Sequence, residues 1–142
     1  KCDWSSDVCS SDLPDNPTTL NNVGTLLLRR GRHAEALAPL RRALAVQPGL
    51  APAREGLSDA LAMLSRDSIQ AGRVAEALAY YGEAVSIEPG SAERQNDYAG
   101  LLAQAGRYDE AEAGWRRALA LDPGHRLARE NLERLHQMRR QR

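Results

Sequence analysis

Few residues of this chain can do chemistry by themselves, and none is spaced for it. Its three histidines, His33, His125 and His136, lack the spacing that lets imidazoles share a metal ion. Cys2 and Cys9 are the only cysteines, and their spacing allows a disulfide or half of a metal site. Neither a phosphate-cradling glycine loop nor a nucleophile elbow occurs. Arg41-Arg42 and Arg116-Arg117 are isolated basic pairs, and 19 basic residues balance 19 acidic ones. Interspersed charge of zero net sign makes no electrostatic case for nucleic acid or a membrane surface. The reading is a chain without an active site, cofactor or metal.

What does recur is a phrase. It reads Gly31-Arg32-His33-Ala34-Glu35-Ala36-Leu37, then Gly72-Arg73-Val74-Ala75-Glu76-Ala77-Leu78, then Gly106-Arg107-Tyr108-Asp109-Glu110-Ala111-Glu112. Each is closed by a proline seventeen residues after its glycine, at Pro48, Pro89 and Pro123. The second and third copies are 34 residues apart, a period that marks stacked helical hairpins.

One unit can be built from its parts. Leu20, Val23, Gly24 and Leu27 stand at helical spacing and predict a first helix over roughly 18–30. Gly31 ends it, because the reversal needs a left-handed residue. A second helix follows over about 34–46, with Ala36, Leu40, Ala43 and Leu44 on one face, and Pro48-Gly49 stops it. Pro39 removes one hydrogen bond near that helix's start and should bend its first turns. Pro48 and Pro89 are 41 positions apart, one period plus two helical turns. Leu57, Ala60, Leu61, Leu64, Ser68 and Ala71 form an unbroken stripe there, predicting one long helix from about Pro52 to Ala71. The alternative is a seven-residue loop near Ser65-Arg66-Asp67. A final amphipathic helix over about 126–140 covers the last hairpin with Leu127, Leu132 and Leu135.

These residues resemble the tetratricopeptide repeat (TPR) family. Its second-half pattern of alanine, large residue, alanine and proline is complete three times: Ala36, Leu40, Ala43, Pro48; Ala77, Tyr81, Ala84, Pro89; Ala111, Trp115, Ala118, Pro123. Its first-half pattern is looser, with Leu20, Val23, Gly24, Leu27, then Leu61, Leu64, Ser65, Ser68, then Gln95, Tyr98, Ala99, Leu102. The resemblance implies an all-α helical-hairpin solenoid over 14–142, with repeats at about 17–50, 51–91 and 92–125 and a capping helix after them.

Residues Asp3 to Leu13, DWSSDVCSSDL, are similar to a translated high-throughput sequencing adapter. Excluding residues 1–13 as non-native and unstructured removes both cysteines, Trp4 and the only lysine, Lys1. Over residues 14–142, 18 arginines against 16 acids leave a charge of +2. Arginine without lysine, with much Ala, Leu and Gly, fits a bacterial gene of high GC content. Pro14 stands 34 residues before Pro48, where the closing proline of an earlier repeat belongs. The expectation is therefore a fragment, with the face around Leu20 and Leu27 partly uncovered. Localisation stays open between cytoplasm and periplasm.

In arrays resembling this family the first helix of each hairpin lines a concave groove. Carrying that pattern over places Asn21, Asn22, Thr25 and Arg29, then Ala62, Arg66 and Ile69, then Asn96, Gly100 and Arg134 at the groove. Asparagine amides can pair an extended backbone, and arginines can grip carboxylates through two bonds. Family members that hold a chaperone's C-terminal carboxylate need cations where this chain has Glu93 and Asp97. Two acids repel a carboxylate, so that role is disfavoured. The resemblance implies a non-catalytic scaffold whose partner is a protein or peptide, with no nucleic acid or membrane contact. The alternative is a substrate-holding TPR module of a larger enzyme, of the glycosyl- or sulfotransferase type.

Overall fold

In the computed structural model, which describes residues 15–141, every regular element is an α-helix. The order is α1 (Pro17–Arg29), α2 (His33–Val46), α3 (Ala51–Gln70), α4 (Val74–Ile87), α5 (Ala92–Gln104), α6 (Tyr108–Leu121) and α7 (Arg126–Arg140). The adapter-like stretch, both cysteines and Pro14 lie outside the described residues. The chain divides into two compact units between Met63 and Leu64, within α3.

The same reversal is made three times. Gly31, Gly72 and Gly106 have φ of 72°, 74° and 77°, a region that costs an L side chain steric strain. Each glycine N–H donates three residues back, and the arginine after it donates five back, as in Arg32 N to Leu27 O at 2.9 Å. This pair of bonds satisfies carbonyls that a helix end leaves open. The arginine then opens the next helix. Without a side-chain cap, Arg32 and Arg107 instead clamp Glu35 and Glu110 in the first turn, Arg107 through two bonds of 2.7 Å. Arg73 holds Glu76 at 2.9 Å. These exposed pairs set local geometry more than stability. At the other ends, Asn16, Ser91 and His125 cap α1, α5 and α7 by accepting backbone N–H bonds.

The unit up to Met63 has an aliphatic core. Ala36, Leu40 and Ala43 of α2 are fully buried, with Leu20 of α1 and Ala53, Leu57, Ala60 and Leu61 of α3. Close approach is set at Gly24, where a Cβ would stand 2.5 Å from Leu40 Cγ. Of the expected partly uncovered face, Leu20 is buried, which corrects that position, and Leu27 is half-buried; Leu26, at 50% exposure, is the exposed large apolar residue of α1. Pro39 lies inside α2 without interrupting it.

The unit from Leu64 onward mixes aromatic and small residues. Ala77, Ala84, Ala111 and Ala118 are fully buried, with Tyr81 and Trp115 between their pairs. Gly114 faces Ala99, where a Cβ would meet the alanine methyl at 2.7 Å. The seven extra residues of the second repeat are helix, and Ser65 of α3 donates to the Ala77 carbonyl at 2.8 Å. On α7, Ala128 and Leu135 are buried, whereas Leu127 is exposed; the expected cover by Leu127 is replaced by its smaller neighbour.

The glycines should therefore respond oppositely to alanine. Gly24→Ala forces Leu40 aside and should destabilise by about 1–3 kcal/mol. Gly100→Ala, in open space within α5, should stabilise by roughly 0.5–1 kcal/mol. Urea midpoints at unchanged m-value check both.

Candidate protein-interaction surface

The sequence-predicted residues fall in two sets, one per unit. In the first, Asn21, Asn22, Thr25 and Arg29 follow one another on α1, and Ala62 lies on α3. Asn22 and Arg29 are exposed; Asn21, Thr25 and Ala62 are half-buried. The Asn21 carbonyl oxygen is buried without a hydrogen-bond partner among the described residues.

In the second unit, Arg66 and Ile69 lie on α3, Asn96 and Gly100 on α5, and Arg134 on α7. Arg66 and Arg134 are exposed, and Ile69 and Gly100 half-buried. Asn96 is only 6% exposed and its amide is engaged by neighbours. Its Nδ2 donates to Asp97 Oδ1 at 3.1 Å, and Asn131 Nδ2 of α7 donates to its Oδ1 at 3.4 Å. These bonds bring Asn96 and Asn131 together at the junction of α5 and α7. Among the described residues, no atom apart from its chain neighbours and its own helix backbone stands within 4 Å of where a Gly100 Cβ would be.

The sequence puts Tyr81 at the large position of the repeat pattern and Asp97 among the repelling acids; the structure joins them. Tyr81 donates its hydroxyl to Asp97 Oδ2 at 3.0 Å, and its ring stacks on Tyr98 at 6.3 Å with planes 5° apart. Burial first, and the Asp97 carboxylate second, push the Tyr81 phenol well above its ordinary range. The signal was available: a tyrosine at a core position needs a partner for its hydroxyl. Beside it Arg94 and Glu88 pair at 2.9 Å, both largely shielded.

A cleft of about 250 Å³ lies between α5 and α6, lined by Gln95, Tyr98, Leu102, Asp109, Glu110, Ala113, Gly114 and Arg117. It is smaller than the usual range for small-molecule sites. Gln95 Nε2 donates to the Pro89 carbonyl at 3.3 Å, while its Oε1 and Trp115 Nε1 are buried without partners. Among the described residues no group of three or more His, Cys, Asp or Glu could hold a metal. His125 serves as a helix cap and His136 stands 3.2 Å from Glu112. No described helix is long and apolar enough to cross a membrane.

This geometry of repeated hairpins has a counterpart among known proteins. Residues 15–88 and residues 68–135 match two family models, each described as tetratricopeptide repeat. The chain belongs to the tetratricopeptide repeat family. In TPR terms α1, α3 and α5 are first helices of hairpins, and α2, α4 and α6 are second helices. Solved structures agree on the fold. The first TPR of Spaghetti (RPAP3), bound to the HSP90 peptide SRMEEVD, matches at 16% identity over 86% of this chain and 91% of that one, TM-score 0.54. YrrB, a TPR protein with an unusual peptide-binding site, matches at 21% identity over 90% and 80%, TM-score 0.56. Pseudomonas aeruginosa pilF matches at 28% identity over 87% of this chain and 54% of that one, TM-score 0.53. No curated protein matches the chain in sequence at a significant level.

The tyrosine–aspartate bond is directly testable. Tyr81→Phe should cost about 1 kcal/mol, the worth of one hydrogen bond to a partly solvated acceptor. Because the folded phenol is raised, its contribution is complete below about pH 10 and lost as pH rises further. Chemical denaturation should show the wild type losing more stability than Tyr81→Phe above that pH.

Proposed function

We propose that this TPR chain is a protein-interaction module that holds an extended peptide segment or partner helix against the first-helix faces of its units. Gly100 carries the reading. A glycine inside a helix costs roughly 0.5–1 kcal/mol relative to alanine. At Gly24 and Gly114 a neighbouring side chain explains that cost, because a Cβ would collide. At Gly100 no packing neighbour among the described residues does, so the bare backbone serves something that approaches from outside. Elsewhere on the same unit Arg66 and Arg134 are exposed and Ile69 half-buried, open to further contacts, whereas Asn96 is buried against Asn131. In the other unit Asn21, Asn22, Thr25, Arg29 and Ala62 form a separate set, with the unpartnered Asn21 oxygen ready to accept a backbone N–H if the side chain turns outward.

A peptide-bound structural neighbour and a second with a peptide-binding site support the class of ligand, and the residues here argue for a different ligand chemistry. Glu93 and Asp97 are both exposed on α5, and their charge opposes an acidic tail such as the one held by the Spaghetti repeat. Affinity would come from many weak contacts along an extended segment.

A peptide array probed with the full chain tests the proposal. Peptides bound by the wild type should lose about tenfold or more in affinity, 1.4 kcal/mol, with Gly100→Arg, whose thermal midpoint should not fall. Asn21→Ala with Arg29→Ala reports on the other unit. An array without any binder, or binders indifferent to both variants, rejects the reading in favour of a structural spacer.

A further inference from the structure

α7 is fastened to its hairpin by charge more than by apolar contact. Of its fifteen residues only Ala128 and Leu135 are buried. The polar contacts are denser. Glu112 of α6, with a side chain 12% exposed, receives Arg139 Nη1 at 2.5 Å and stands 3.2 Å from His136 Nε2, both from α7. Arg116 of its own helix reaches it at 2.5 Å. The second nitrogen of Arg139 bonds Asp109 Oδ1 at 2.5 Å, and Asn131 bonds Asn96 of α5. One shielded carboxylate thus gathers three basic groups, two of which belong to α7. Among the described residues these three are the charges that act on Glu112; none comes from α5, on which α6 also packs.

We infer that α7 is a releasable helix whose docking is switched by the charge state of Glu112, detaching in acid or high salt while the α5–α6 hairpin stays folded. The bond from His136 first, then the charges of Arg116 and Arg139, hold this carboxyl below the ordinary carboxylate range. A carboxyl depressed in the docked state contributes fully above the undocked value, about 4.3, and loses its contribution as pH falls through and below it. Salt weakens the same contacts, because Arg139 and His136 remain more than a third exposed.

Hydrogen exchange of the full chain, read by mass spectrometry and corrected for intrinsic rates, tests this. Glu112→Gln at neutral pH should lower protection of residues 126–140 about tenfold or more, leaving α5 and α6 protected. Wild type in 1 M NaCl should lose the same protection, and Glu112→Gln should lose little more. Leu135→Ala, which loosens α7 through its apolar contact, should keep the wild type's salt dependence. Unchanged α7 protection in Glu112→Gln overturns the inference. So does loss of protection in α6 together with α7 in both variants.

Discussion

Each hairpin here depends on a chain reversal that only glycine makes cheaply. With φ near 72–77°, Gly31, Gly72 and Gly106 turn the chain within three residues and close the helix end by two backbone bonds. The turn also fixes register. It places an arginine at the next helix's first boundary and the first alanine of the buried triad four residues after it. The methyl of that alanine fills little; its value is to let two backbones come close. Glycine supplies the angle, and alanine the distance.

The same frame tolerates different fillings. The large position between the paired alanines is Leu40, Tyr81 and Trp115 in successive copies. Leucine asks only for a facing Gly24. Tyrosine brings a hydroxyl into the core, and Asp97 answers it across sixteen residues. Tryptophan brings an N–H for which no acceptor is placed among the described residues, and the Gln95 side-chain oxygen of the same copy also lacks a donor there. An unmade bond in a buried position costs more than a made one returns. The third copy therefore carries the largest polar debt of the three.

The fold was legible because its signals are short-range. Period, glycine, proline and paired alanines each report a local backbone decision, and the in-phase stripe from Leu57 to Ala71 announces one long helix, found as α3 with its end one residue earlier at Gln70. Side-chain partners were not legible. Nothing in the spacing of Glu112, His136 and Arg139 distinguishes a clasp from three solvated residues, since the contact joins two helices across 24 and 27 positions. The same holds for Asn96, whose amide looked free in sequence and is engaged by Asn131. Leu127 and Ala128 show the commonest error of helical-wheel reasoning, in which the larger neighbour is assigned to the interface and the smaller one occupies it.

The aliphatic unit and the aromatic unit also differ in what light they absorb. Between residues 15 and 63 there is no tyrosine, tryptophan or phenylalanine; Tyr80, Tyr81, Tyr98, Tyr108 and Trp115 all follow Leu64. Near-ultraviolet signals from the described residues therefore belong to one unit alone. Among the described residues, intrinsic fluorescence would register the Trp115 environment and pass over the opening of the leucine–alanine core. Residues 15–63 are optically silent, and Trp4 is the sole aromatic side chain that precedes them.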